Sequence, residues 1–143
     1  MTGSVLREAA RYAGTLFLVG CVLGTVREML VSPAIGPVAA MTIETPLMLS
    51  ACVLVATRRA GRVDWSPAEA MRVGLAAMPM LVAMEEALTR ALRGGSILEH
   101  WMRQSGLELA MTVSGLLGFA FIPALVTLSK RNRMRISLRV PTQ

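Results

Sequence analysis

The run from Leu109 to Ser129 limits what this chain can fold into more than any other stretch of the sequence. It holds 21 consecutive residues without a charged side chain. A helix rises about 1.5 Å per residue and needs about 20 apolar residues to cross the hydrocarbon of a bilayer. The run is therefore long enough to span, and it predicts a transmembrane helix.

The composition extends this prediction to the rest of the chain. Of the 143 residues, 54% are hydrophobic and 17% are charged, whereas soluble domains have roughly 45–50% and 25%. The apolar residues also come in long runs and do not alternate with polar ones. We predict one membrane domain over residues 1–143, an all-α four-helix bundle with spans at about 9–31, 38–57, 68–93 and 109–129.

Proline and glycine mark the junction between the first two predicted spans. Ser32-Pro33 is expected to stop the first helix, because proline disfavours helical backbone at the residue before it. Gly36-Pro37 opens the second helix, which ends at Arg58-Arg59. The connection is so short that the two spans must be antiparallel neighbours.

The third predicted span is the weakest of the four. Residues 66–69 have the capping-box pattern of a helix start, and Gly94-Gly95 supplies an end. The strictly apolar part, Val73 to Met84, covers only 12 residues and is too short to cross alone. The helix can span only if three charged residues of its outer half are kept away from lipid: Glu85, Glu86 and Arg90.

The basic residues give the predicted orientation. With four spans, 11 Lys and Arg residues fall on the side that holds both termini, and 4 fall on the other side. The positive-inside rule then puts both termini in the cytoplasm. The basic tail, residues 130–143, is expected to be poorly ordered and to be able to bind anionic lipid.

Three charged residues lie inside the predicted spans at nearly the same depth. Counted from the cytoplasmic face at 1.5 Å per residue, Arg27 lies about 22 Å into the membrane, and Glu44 and Glu85 lie about 20 Å in. A lone charge at such a position costs at least ~2.5–3.5 kcal/mol, so pairing is favoured. We predict an ion pair between Arg27 and Glu44, which Glu85 can join.

This buried charged layer of Arg27, Glu44 and Glu85 has three interpretations. It can be a structural ion network that fixes which helices meet, a path for a proton or substrate, or a set of charges that reach the membrane interface. The structural interpretation is favoured over the other two.

Gly20 and Gly24 form a small-x-x-x-small pattern that allows close helix approach. The approach can be a seam between two copies of the chain, or close packing within the bundle. Packing within the bundle is favoured, because such patterns are common in membrane helices.

No catalytic residue, metal site or cofactor is predicted. Cys21 and Cys52 lie in apolar runs, where thiols behave as small hydrophobes, and the single histidine, His100, is expected at the surface of a polar connector. Four methionines have soft thioether groups of the kind that bind Cu(I): Met48, Met78, Met80 and Met84. They do not form a dense methionine array, so we interpret them as ordinary apolar side chains.

The sequence also lacks the motifs of the common enzyme classes. It has no nucleophile elbow, Walker loop, GxGxxG or HExxH motif. Glu85 and Glu86 are adjacent on a helix and point about 100° apart, so they cannot form a facing carboxylate pair. The net charge is +6, but no basic helix carries a nucleic-acid recognition motif. We therefore expect neither an enzyme nor a nucleic-acid-binding protein.

The pattern Gly24-Thr25-x-Arg27, then Pro33-x-x-Gly36, then Glu44-x-Pro46-x-Met48 resembles a family of uncharacterised small bacterial inner-membrane proteins of about this length. The resemblance also reaches Glu85 and covers about two thirds of the chain. It implies a four-helix fold and a multi-pass location in the bacterial inner membrane. It implies no activity and no catalytic residue.

The expected function is that of a non-enzymatic inner-membrane protein, either structural or an accessory subunit. The alternative is a small transporter or proton-coupled carrier that uses the charged layer. The expected partners are the lipid bilayer and either a second copy of the chain or a larger membrane assembly. A water-filled cavity that reaches Glu44 or Glu85 would favour the carrier, and sealed carboxylates would favour the structural role.

Overall fold

The computed structural model describes residues 2–137, and almost all of them are helical. No strand occurs among these described residues, which confirms the all-α prediction. Arg27–Val31 forms a π-helical turn that joins the first two helices without a break. Within residues 2–137 the α-helices are α1 (Thr2–Val26), α2 (Ser32–Ile35), α3 (Pro37–Arg62), α4 (Pro67–Arg93), α5 (Ile97–Met102) and α6 (Gly106–Ser137).

Three segments of the described chain are long and apolar enough to cross a membrane. They are Gly3–Ile35, Pro37–Arg62 and Gly106–Met134, with 33, 26 and 29 residues, against the about 20 residues that a crossing needs. The chain is therefore a helical membrane protein. α4 does not belong to this group, because charged residues stand on both sides of its short apolar part.

Four long helices lie side by side: α4 contacts α1 and α6, and α3 contacts the same two helices. Near one end of this assembly, Arg59 lies 3.6 Å from Glu8, and the Lys130 Nζ donates a hydrogen bond to the Ala60 carbonyl at 2.9 Å. The start of α1, the end of α3 and the later part of α6 meet there. We call it the proximal end, and the opposite end, with Gly36 and α5, the distal end.

The first long helix continues past Ser32-Pro33 to Ile35, so the predicted stop at Ser32-Pro33 is wrong. Pro33 lies in the first turn of α2, where a residue without an amide hydrogen is tolerated. The π turn before it bonds the Ser32 amide to the Arg27 carbonyl, five residues back, and keeps the chain helical. The stop comes from Gly36, whose φ of +87° is a conformation that suits glycine.

The basic segment that begins at Lys130 is helical as far as Ser137, so the expectation of poor order is wrong over that range. Cations near the C-terminus of a helix interact favourably with the helix dipole. The hydrogen bond from Lys130 to Ala60 also fixes this part of α6 against the end of α3. The remainder of the predicted tail, residues 138–143, lies outside the described residues.

The proximal half of the assembly contains the buried core. Tyr12, Leu16, Cys52 and Val73 are fully enclosed by neighbouring side chains. α4 and α6 touch backbone to backbone, because a Cβ added at Gly74 would overlap the Ala120 carbonyl. Small residues at such a crossing let membrane helices approach closely, and the proximal half is closely packed as a result.

Tyr12 links α1 to α6 through a backbone carbonyl that a proline leaves without its usual donor. Pro123 has no amide hydrogen, so the Phe119 carbonyl, four residues earlier, cannot form its helical hydrogen bond. The Tyr12 hydroxyl donates to that carbonyl at 3.2 Å. The two rings also pack with centroids 4.9 Å apart. The proline in α6 and the tyrosine in α1 thus compensate for each other.

Replacing Tyr12 by Phe should destabilise the protein by about 1–3 kcal/mol, because a buried carbonyl is left without a donor. In a Pro123→Ala background the amide at position 123 can bond to Phe119, so the same Tyr12→Phe change should cost clearly less. Unfolding titrations of the wild type, both single variants and the double variant in detergent micelles measure this difference. An equal cost in both backgrounds would contradict the account.

Candidate functional site

Arg27 and Glu44 form an ion pair between the first two long helices. The Arg27 Nε lies 3.1 Å from the Glu44 Oε2, and each side chain is about one-fifth exposed, at 21% and 22%. A second guanidinium nitrogen of Arg27 lies 2.8 Å from the carboxylate of Glu28, which is more exposed. The structure therefore brings together the first two of the three charged residues singled out from the sequence.

Local backbone features position both members of this pair. Arg27 is the first residue of the π turn, and its carbonyl accepts from the Ser32 amide five residues later instead of four. Single π turns inside α-helices are frequent at functional sites. Glu44 stands two residues before Pro46, which lies inside α3. The tight turn at Gly36 then folds α3 back along α1, so the two side chains meet across the hairpin.

The geometry of the pair leaves one hydrogen-bonding group unused. The Nε of Arg27 is buried and makes no hydrogen bond to any described residue, although a Glu44 oxygen is within ion-pair distance. The contact therefore has the distance of an ion pair without the alignment of a hydrogen bond. Charge attraction, and not a directed hydrogen bond, holds Arg27 against Glu44.

Glu85 does not join the pair. Among the described side chains, no cation lies within ion-pair distance of its carboxylate. Its electrostatic neighbour is Glu44, which carries the same charge. The reason is geometric: the guanidinium of Arg27 already faces both Glu28 and Glu44. The predicted extension of the ion pair to Glu85 is wrong, and Glu85 has no countercharge among the described side chains.

A cavity of about 480 Å³ opens beside these charges at the distal end. A smaller cavity of about 150 Å³ adjoins it and shares Glu44, Met48 and Glu85. The carboxylates are therefore not sealed among side chains. The polar and charged residues that line the larger cavity are Thr25, Arg27, Glu28, Glu44, Glu85, Thr89, His100, Gln104 and Thr112.

The short helix α5 forms the end wall of the larger cavity. Its residues Ile97, His100 and Trp101 line the space. The wall is held by a hydrogen bond from the Ile97 amide to Glu86 at 2.7 Å. The expectation that His100 is a surface residue is therefore wrong: it is partly buried in this wall. The connector also contains apolar residues such as Ile97 and Trp101, which could have indicated a partly buried helix. The sequence does not show which side of that helix faces inward.

Gly20 and Gly24 also line the cavity. A Cβ added at Gly20 would lie 3.7 Å from the Met48 Cε, and one at Gly24 would lie 3.9 Å from a Glu44 oxygen. These are ordinary contacts, so the tight helix approach expected at this pair of glycines is found elsewhere, at Gly74. The role of Gly20 and Gly24 as a seam between two copies of the chain stays a prediction.

Three of the four methionines considered for metal binding have packing roles in the structure. Met48, Met78 and Met80 pack against the buried core. Among the described residues, no group of three His, Cys, Asp or Glu side chains is arranged to hold a metal ion. Of the two thiols, Cys52 is buried, whereas Cys21 lines the larger cavity.

Comparisons with protein-family models, with curated proteins and with solved structures find no match to this chain. The resemblance to a bacterial inner-membrane family therefore stays a prediction, and the site has to be interpreted from its own geometry.

Replacing either member of the ion pair alone should reduce the amount of folded protein in the membrane. Arg27→Ala leaves Glu44 unpaired, and Glu44→Ala leaves Arg27 with the exposed Glu28 only. An unpaired charge at this depth costs at least ~2.5–3.5 kcal/mol. The double variant removes both charges and should recover much of the loss. Size-exclusion chromatography of detergent-solubilised membranes quantifies the folded protein.

Glu28→Ala is the matched control for this series, because it removes the partner of Arg27 that is nearly half exposed. It should accumulate close to the wild-type level. Full accumulation of both Arg27→Ala and Glu44→Ala would show that the pair does not stabilise the fold.

Proposed function

We propose that the chain is a four-span protein of the bacterial inner membrane that binds a small solute in its distal cavity, as a carrier does. The observation that supports this function over a purely structural or accessory role is the cavity of about 480 Å³ that reaches Glu44 and Glu85. Cavities of this size are typical of small-molecule sites. Charged residues inside membrane helices commonly mark a substrate or proton path.

The contacts of α4 support a fourth crossing. With 27 residues, a helix is about 40 Å long, enough to cross with tilt. It packs against α1 and α6, and touches α6 at Gly74. The charged residues that weaken this span in the sequence also have partners or space: Glu85 lines the cavity, and Glu86 accepts from the Ile97 amide and pairs with Arg90.

A fourth crossing puts both termini on one side of the membrane, and the basic residues assign that side to the cytoplasm. A fluorescent protein fused to the C-terminus should therefore fluoresce. Alkaline phosphatase, which is active only outside the cytoplasm, should be active when it is fused after Gly95. Phosphatase activity at the C-terminus, together with none after Gly95, would mean that α4 does not cross.

The same cavity supports a carrier-like role for one residue of the charged layer, while the other two residues keep a structural role. Arg27 and Glu44 neutralise each other and join α1 to α3, whereas Glu85 lines both cavities and has no countercharge among the described side chains. A structural network would be expected to pair all of its charges. We therefore assign the binding role to Glu85 and the structural role to the Arg27–Glu44 pair.

The two native cysteines test whether water enters the cavity. Cys21 lines the larger cavity, whereas Cys52, which borders the smaller one, is only 1% exposed. In proteoliposomes, a small water-soluble methanethiosulfonate should modify Cys21 and leave Cys52 unmodified, because the reagent reacts with thiolates in water. Mass-spectrometric peptide mapping of the wild-type chain reads both sites in one sample. Equal protection of both thiols would mean that the cavity is closed, and would contradict the proposed function.

A further inference from the structure

We propose that the solute is a monovalent organic cation with an apolar body, and that its charge is held by Glu85. This inference rests on the proposed function, namely that the distal cavity binds a solute. It adds the chemical class of that solute and the residue that recognises it.

The charges that face the cavity support a cation. Among the described residues that line the cavity, Arg27 is the one Lys or Arg side chain, and it is already in contact with Glu28 at 2.8 Å and with Glu44 at 3.1 Å. An anionic solute would have to displace one of these carboxylates. Glu85 has no cation within ion-pair distance among the described side chains, so a positively charged group of the solute can approach it without breaking an existing contact.

The size of the cavity supports an organic cation over an inorganic one. A water molecule occupies about 30 Å³ of liquid volume, so a bare metal ion would fill only a small part of a space of about 480 Å³. The described residues also offer no cluster of three metal-ligating side chains. An inorganic ion would therefore leave most of the wall without contacts.

The apolar part of the wall suits the body of such a cation. Phe17 and Trp101 line the cavity together with Met29, Met41 and Met48. Aromatic faces, indole above all, attract organic cations, and methionine adapts its shape to irregular apolar ligands. The cavity thus combines a carboxylate that no described cation pairs with, Glu85, with aromatic and thioether surfaces.

Either of two species can neutralise Glu85, a proton or the bound cation. Binding is then an exchange: the carboxylic acid releases its proton to water as the cation takes its place beside the carboxylate. Acid should therefore weaken cation binding. The titratable groups that face the cavities from the neighbouring elements are Cys21, Arg27 and Glu28 from α1 and its π turn, Glu44 and Cys52 from α3, and His100 from α5.

Protection of Cys21 against alkylation reports on this site directly. The wild-type protein in lipid nanodiscs is treated with N-ethylmaleimide in the presence of tetraphenylphosphonium or of tetraphenylborate, two ions of the same shape and opposite charge. Tetraphenylphosphonium should protect Cys21 in a saturable way, at a concentration at least tenfold below any effect of tetraphenylborate. Lowering the pH should raise the concentration needed for half-protection.

Glu85→Gln should raise that concentration at least tenfold and remove its pH dependence, whereas Glu85→Asp should keep both the protection and the pH dependence. Asp64→Asn, an exposed change at the proximal end, should leave the protection unchanged. If Glu85→Gln does not accumulate, two measurements still test the cation assignment. They are the comparison of the two ions on the wild type and the protection of the Glu85→Asp variant.

The outcomes separate the two proposals. Alkylation of Cys21 that tetraphenylphosphonium does not slow overturns the cation assignment and leaves an accessible cavity. Equal or better protection by tetraphenylborate, or protection that Glu85→Gln leaves intact, also overturns it. A Cys21 that no water-soluble thiol reagent reaches overturns the proposed function itself.

Discussion

The ion pair between Arg27 and Glu44 is the interaction on which the distal half of the structure depends. Hydrocarbon tolerates a charge only when a partner or water compensates it. Here the partner comes from the adjacent helix, 3.1 Å away. The short turn at Gly36 already makes α1 and α3 neighbours, and the ion pair fixes the register of the two helices. The π turn at Arg27 and the glycine turn at Gly36 are the backbone features that make this register possible.

The two halves of the assembly meet the demands of a membrane interior in different ways. The proximal half is closely packed: Gly74 lets α4 touch α6, and the Tyr12 hydroxyl supplies the donor that Pro123 withholds from Phe119. The distal half leaves space and lines it with charge. A closely packed proximal half is a suitable base for the proposed binding site, because the walls of the site are then held from one end.

Residue counting along the sequence was enough to predict that Arg27 and Glu44 meet, because a helix converts residue number into depth. The same counting placed Glu85 at that depth but could not reveal that Arg27 is already engaged on both sides. Short sequence motifs did not predict the features that depend on contacts between distant parts of the chain. Gly20 and Gly24 have the more familiar motif, yet Gly74 makes the close contact between helices. The motif could not predict this contact, because its partner, Ala120, is distant in sequence. Proline at position 33 does not end the helix, because a π turn precedes it.

The proposed function requires an interior that is hydrated beside the charged layer and closed to water in the proximal core. Met48 and Met80 test it most directly, because both lie near mid-membrane by residue count and both pack against the core, yet Met48 lines both cavities and Met80 lines neither of them. Hydroxyl radicals produced from water oxidise thioethers that water can reach. In bilayer-embedded protein, Met48 should be oxidised several times faster than Met80. Equal, low oxidation of the two methionines would contradict the account.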